Sequence, residues 1–212
     1  MSAPVRVDIL VEEESAEHLL RLLIPQIVPD VPFEIRRFSG KPALLRELPN
    51  RMQGYAQILR FDPTLRVVVL VDRDDDDCRA LKAHLERVVQ DSGLTTLASV
   101  GGGSANVATR IAVEELEAWL FGDVEALRRV YPRIPPSLNR QARFRDPDAV
   151  AGGTWESLER VLQRHGYHSG GLPKIRVAGA VARHMDVENN RSRSFAQFRD
   201  GVRRLVDVER VA

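Results

Sequence analysis

The residues most able to do chemistry are five aspartates packed into six positions, Asp72-Arg73-Asp74-Asp75-Asp76-Asp77, directly after the apolar run Val67-Val68-Val69-Leu70-Val71. A continuous Val/Leu run of this kind reads as a strand buried on both faces of a parallel sheet. Open α/β sheets bind ligands just beyond the carboxyl ends of their strands, which is where these acids fall. Two carboxylates about 4 Å apart repel by about 1 kcal/mol in water and by more where water is scarce. A hard cation bound by oxygen ligands, Mg²⁺ or Mn²⁺, relieves that repulsion. Asp72 and Asp74 are the candidate ligands. For Asp75 to Asp77 the alternative is helix capping and solvation, because residues 78–91 have helical spacing and acids favour a helix start.

A second acidic set, Glu12-Glu13-Glu14, follows a first strand read over residues 5–11. If the two strands are neighbours, their ends bring Glu12, Asp72 and Asp74 together as a three-carboxylate metal site. A solvated helix N-terminus is the other reading of Glu12 to Glu14. A third set, Glu114, Glu115 and Glu117, lies in a segment read as a helix over 106–121, with Glu114 and Glu117 on one face and Glu115 beside Trp119. Such acids are either an exposed helix face or a further ligand source; Trp119 belongs to the core.

These residues need a frame. Strands are expected over 5–11, 33–38, 67–71 and 95–100, with helices over 16–27, 41–58 (interrupted near Pro49) and 78–91, Ser15 capping the first. Such alternation predicts a mostly parallel sheet with crossover helices. From Ala105 onward the periodicity is helical: 106–121, 124–131, 155–165, 175–185 and 194–206, with a loop over 132–153. The chain thus divides into an α/β part, 1–123, and a helical part, 124–212, packed on it or continuous with it.

A net charge of +1 with 29% charged and 43% hydrophobic residues describes an ordinary globule with no global basic field. Contact with nucleic acid needs local patches. The candidates are Arg128, Arg129, Arg133, Arg140, Arg143 and Arg145, then Arg191, Arg193, Arg199, Arg203 and Arg204, which form either a phosphate track or ion pairs with nearby acids. The single cysteine, Cys78, excludes a disulfide framework and a multi-cysteine zinc ribbon, and suits a reducing cytoplasm. No apolar run approaches the roughly 20 residues of a membrane span, so a cytoplasmic location without membrane contact is expected. Gly101-Gly102-Gly103 is followed by Ser104-Ala105, not the Lys-Ser/Thr of a P-loop, so ATP hydrolysis by this chain alone is not expected. His165 and His168 lack a second ligand pair and read as packing or surface residues.

The order strand, Glu12, helix, then strand, Asp72-x-Asp74, helix resembles the TOPRIM domain of topoisomerases, primases and overcoming-lysogenization-defect nucleases. More closely, the chain is similar to the bacterial TOPRIM-like family known as domain of unknown function 4276. The matching stretches are Leu10-Val-Glu-Glu-Glu-Ser15, Gly40-Lys41, Leu48-Pro-Asn-Arg-Met-Gln-Gly-Tyr55, Val69 to Cys78, Arg110-Ile-Ala-Val-Glu-Glu-Leu-Glu-Ala-Trp119, Arg145-Asp-Pro-Asp148 and Asn190-Arg-Ser-Arg-Ser-Phe195. The resemblance implies a Rossmann-like TOPRIM sheet and Mg²⁺ (or Mn²⁺) held by Glu12, Asp72 and Asp74 for hydrolysis of phosphodiester bonds in DNA.

It also implies a lysine near the scissile phosphate, for which Lys174 and Lys41 are the candidates, with Glu115 or Glu117 as a further ligand. Glu13 stands where many TOPRIM nucleases have glycine. Ala16, with Glu17 next to it, stands where they carry a second acid. Topoisomerase and primase activity are disfavoured by the chain length, its few tyrosines and its one cysteine, which leaves a nuclease. A separate ATPase partner, in phage defence or repair, is implied by resemblance only. The rival functions are a non-catalytic interaction module of such an ATPase system and a phosphohydrolase of small substrates. A homodimer is compatible with the sequence.

Overall fold

The computed structural model describes residues 4–101 and 104–207; Gly102 and Gly103 of the glycine run lie outside the described residues. Strand β1 (Arg6–Val11), helix α1 (Glu14–Ile27), β2 (Phe33–Arg37), α2 (Lys41–Leu59), β3 (Leu65–Asp72), α3 (Cys78–Asp91) and β4 (Val107–Ala112) alternate along the chain. The strands form one four-stranded sheet in the order β2-β1-β3-β4, every neighbouring pair parallel, with Ile9 beside both Ile35 and Val68, and Val71 beside Ile111. The expected α/β architecture, a parallel sheet flanked by helices, is the one observed.

Strand alternation divides the core in two. Val7, Ile9 and Val11 of β1, with Val68 and Leu70 of β3, face one buried cluster together with α1 and residues from the C-terminal half. Leu10, with Val67, Val69 and Val71, faces the other, against Leu44, Leu48 and Met52 of α2 and Leu81, Leu85 and Val89 of α3. Burial on both faces is what makes β3 apolar without interruption.

The C-terminal half adds α4 (Ala118–Gly122), α5 (Val124–Val130), α6 (Thr154–Arg164), α7 (Lys174–Ala182) and α8 (Arg193–Asp207). Helix α7 packs on α1, and α8 on β4. The first buried cluster draws on residues either side of position 123, from Leu19 to Val202. The expected loop over 132–153 contains three short 3-10 turns, anchored by Phe144 stacked on Phe121 at 5.0 Å.

Four expectations are corrected. Residues 95–100 form no strand but a single bridge, Thr96 to Val107, and the fourth strand is β4, inside the expected helix over 106–121. Val107 and Ile111 have helical i, i+4 spacing, but pairing with β3 satisfies the backbone of this β-branched stretch and buries Val107. Helix α2 continues through Pro49, because its face of Leu44, Leu48, Met52 and Tyr55 is buried on the sheet. Ser15 is not a cap: α1 begins at Glu14 with Glu13 in the cap position, and the Ser15 hydroxyl donates to the Glu13 carboxylate. Asp77 does cap α3, accepting from the Ala80 N–H at 2.7 Å.

Candidate functional site

From β1 the chain crosses to β2 on one side and, through α2, to β3 on the other, so the topological switch point lies between β1 and β3. Open sheets bind ligands there. Glu12 follows the last residue of β1, and Asp72 is the last residue of β3. Oε1 of Glu12 accepts a 2.6 Å hydrogen bond from the Asp72 N–H. Alternation turns the two side chains to opposite faces, Glu12 toward α2 and Asp72 toward the face carrying α1 and α7.

Each face supplies one lysine. Lys41, the first residue of α2, interacts electrostatically with Glu12, while Lys174, the first residue of α7, interacts with Asp72. Burial pushes the Glu12 carboxyl up to about 7, a rise only partly offset by the Asp72 N–H and Lys41. The Asp72 carboxyl is pushed well above the usual carboxylate range, first by burial, then by repulsion from Glu12 and Glu117.

Glu117 is the most confined acid of the group. It is 1% exposed, and neither carboxylate oxygen has a hydrogen-bond partner among the described residues. Its nearest cation is Nζ of Lys174 at 3.4 Å, which also meets the Glu13 carboxylate at 2.8 Å. Burial raises the Glu117 carboxyl to about 7. Burial alone lowers the Lys174 pKa, but Glu117 and Glu13 outweigh it and hold the ammonium charged. The Nζ also lies 5.5 Å from the centre of the Trp155 ring.

Asp74 stands further out, exposed and paired with Lys41 Nζ at 2.7 Å; the same ammonium meets Asp76 at 2.8 Å and the Arg73 carbonyl at 3.0 Å. Its φ is 49° and that of Glu114 is 63°, both left-handed and strained for residues with a side chain. The Asp74 N–H donates to the Glu114 carbonyl at 2.8 Å, so the loops leaving β3 and β4 hold each other in that conformation. Glu114 and Glu117 therefore share no helix face: Glu114 lies in the loop after β4, where its carboxylate binds Arg73. Glu115 is spent on α6, accepting from the Thr154 hydroxyl at 2.8 Å and the Trp155 N–H at 2.9 Å. Among the described residues, no three acidic, imidazole or thiol groups are spaced to close around one ion.

Most of the expected arginine track serves the fold. Arg128 pairs with Glu125 at 2.9 Å, Arg199 and Arg203 pair with Glu188, Arg133 lies over the Tyr167 ring at 4.2 Å, and Arg143 and Arg191 donate to the carbonyls of Ala151 and Arg145. His165 and His168 are packing residues, bound to the Val161 carbonyl and the Tyr131 hydroxyl. The Asp148 carboxylate accepts from the Ser192 and Ser194 hydroxyls at 2.7 and 2.9 Å, and Ser194 in turn accepts from the Trp119 indole at 2.9 Å. The matching motifs around Asp148 and Ser192 are thus a latch on α4. Nothing in the spacing of Arg176 and Arg183 sets them apart in the sequence from other surface arginines.

An α/β domain with a doubly covered parallel sheet, carrying buried carboxylates and two lysines at its switch point, is the class that fold and site define. The chain belongs to the family described as a domain of unknown function, number 4276, whose model matches residues 11–203. No curated protein and no solved structure matches the chain. Among the described residues, no helix is long and apolar enough to cross a membrane.

Proposed function

We propose that the chain is a metal-dependent phosphodiesterase of the TOPRIM kind acting on DNA. The observation that carries this reading is the buried Glu117 carboxylate, which repels Asp72, has no hydrogen-bond donor for either oxygen among the described residues and meets only the Lys174 ammonium at 3.4 Å. A buried carboxylate left without donors is costly, and a divalent cation is the partner that carboxylates of this kind take. As they stand, Glu12 and Asp72 leave their strand ends on opposite faces, and no three such groups among the described residues close around one ion. On this proposal Asp72 would hold it with Glu117 behind, and Glu12 and Asp74 would turn in, Asp74 once Lys41 releases it. A bound Mg²⁺ or Mn²⁺ supplies charge neutralisation at phosphate and a water of lowered pKa.

The chain's own groups do the rest. Lys174, held charged by Glu117 and Glu13, presents an ammonium to a non-bridging phosphate oxygen. Lys41 does the same from the opposite face of the sheet. Glu117, behind the ion and not a direct ligand, would be the group to accept a proton from the attacking water. The ATPase partner and the defence or repair setting belong to the same reading, through the TOPRIM likeness.

The test is calorimetric titration with Mn²⁺ and Mg²⁺, and plasmid nicking, on the wild type and Asp72→Ala. Binding and nicking in the wild type, both lost in Asp72→Ala, support the proposal; a wild type that neither binds nor nicks ends it. One observation favours a second reading. Lys41 and Lys174 already lie against Asp74 and Glu117, an arrangement that also suits a non-catalytic module docking on an ATPase. That reading predicts an unchanged melting temperature on addition of Mn²⁺.

A further inference from the structure

The two openings beside the carboxylate cluster have opposite charge. One, of about 450 Å³, is walled by Asp74, Asp75, Glu114, Glu115 and Glu156, of which Asp74 is paired with Lys41 and Glu114 with Arg73. The other, of about 770 Å³, runs along α7 between α1 and α5 and is lined by His18, Lys174, Arg176, Gly179, Arg183 and His184 together with apolar residues, and Glu14 lies 3.7 Å from the His18 ring. Lys174 is a residue common to the groove and the carboxylate cluster, since its ammonium pairs with Glu13 and Glu117.

Arg176 and Arg183 are exposed in the groove and make no ion pair among the described residues. They are seven residues apart, two helical turns, so they project from one face of the helix about 10 Å apart along its axis. That rise matches about three nucleotide steps of a stacked strand. Between them lies Gly179, in the middle of a helix. Its φ is not left-handed, and a Cβ built on it meets nothing within 4 Å. Neither backbone conformation nor internal packing requires this glycine, which weakens the helix relative to alanine. What the missing side chain provides is depth in the groove, between two unpaired guanidinium groups.

We infer that the groove along α7 is the binding track for a single strand of nucleic acid, whose phosphates meet Arg176 and Arg183 and whose chain leads past Lys174 to the carboxylates. The inference rests on the phosphodiester reading of that site and gives the substrate a direction of entry. Phosphates are repelled from the acidic opening and drawn to the basic one. Partly exposed Ile175 offers an apolar surface to a base, while the guanidinium groups take the backbone. Two guanidinium groups about 10 Å apart match about three steps of one stacked strand.

The experiment is fluorescence anisotropy of a short labelled oligodeoxynucleotide in EDTA at low salt, so that binding is read apart from cleavage. Arg176→Glu/Arg183→Glu should weaken binding by roughly tenfold or more and reduce the salt slope by about 1.4, the value for two phosphate contacts on a single strand. Gly179→Leu should cause a similar loss with no change of charge. Gly179→Ala should melt at or above the wild-type temperature and bind nearly as well, which separates a blocked groove from a damaged helix. Wild-type affinity in both the double arginine variant and Gly179→Leu overturns the inference. So does displacement of the oligonucleotide by duplex DNA or polyglutamate as effectively as by unlabelled single strand. The two readings fail separately. Nicking lost in Asp72→Ala but untouched in the groove variants sinks the track and leaves the site, whereas groove-dependent binding without cleavage at any metal concentration supports the track and sinks the nuclease.

Discussion

Oε1 of Glu12 accepts a 2.6 Å hydrogen bond from the backbone N–H of Asp72, so a candidate ligand on β1 is also the clasp that orders the end of β3. Its carboxylate has a structural and a chemical role that substitution can separate. Glu12→Gln keeps an acceptor for the Asp72 N–H and removes the charge. It should fold at least as stably as the wild type at pH 8 and bind no divalent cation. Glu12→Ala leaves that N–H without its partner and should cost about 1 to 3 kcal/mol. Urea melts of both variants check the order; equal stability would show that the clasp contributes nothing.

Stability of the metal-free protein should fall as pH rises. Glu12 and Glu117 both titrate near 7 in the folded chain, against 4.5 for the unreacted carboxyl. Between those values the folded state binds more protons than the unfolded one. The stabilisation is fully present below about 4.5 and is lost as pH passes through about 7. Each carboxyl contributes on the order of 3 kcal/mol of stability across that whole pH range. Glu117→Gln should flatten the slope, as read from urea midpoints between mildly acidic and mildly alkaline pH. A slope of the opposite sign in the wild type would rule out carboxyls held protonated by burial.

Divalent cations should reverse that trend. A ligand that binds only the folded state stabilises it by about 2.7 kcal/mol at a hundredfold excess over its dissociation constant. Binding here requires deprotonated carboxylates, so the rise in melting temperature with Mn²⁺ should be larger at pH 8 than at pH 6. EDTA should abolish it. A pH-independent rise would place the ion elsewhere.

Glu115 should prove structural. It accepts from the Trp155 N–H and the Thr154 hydroxyl at the start of α6, so Glu115→Ala should cost about 1 kcal/mol, the scale of a lost helix cap. Nicking per folded molecule should stay at the wild-type level. A loss of turnover at wild-type stability would return Glu115 to the site.

The latch on α4 should matter more than its distance from the carboxylates suggests. A Cβ added to Gly122 would lie 2.0 Å from Oδ1 of Asn190 and 3.0 Å from the Ser192 nitrogen. Gly122→Ala must therefore move the segment that Asp148 holds, at an expected cost of about 1 to 3 kcal/mol. Asp148→Ala, which strips the acceptor from the Ser192 hydroxyl and from the Ser194 hydroxyl and N–H, should cost a similar amount. Thermal melts of each single variant decide; wild-type stability in both would show that the motifs have some other use.

The sequence by itself determined the α/β frame, because burial on both faces leaves an unmistakable apolar run at β3 and strands alternate with helices along residues 6–91. It also placed Glu12 and Asp72 at strand ends, since an acid directly after such a run has nowhere else to go, and it offered Asp75 to Asp77 for capping, of which the structure uses Asp77, and Trp119 for the core. Only the tertiary structure decided which acids meet. Glu117 reaches Asp72 because β4 is a strand beside β3, whereas the i, i+4 spacing of Val107 and Ile111 fits a helix equally well until that partner is present. The same pairing strains Asp74 and Glu114 into left-handed turns and gives Asp74 to Lys41. Lys174 is more than a hundred residues from Asp72 in the chain, and only the packing of α7 on α1 brings its ammonium to the carboxylates and leaves Arg176 and Arg183 unpaired along the groove. Local pattern records which face of an element is buried; the burial of a charge without a donor, as at Glu117, depends on contacts between segments distant in the chain.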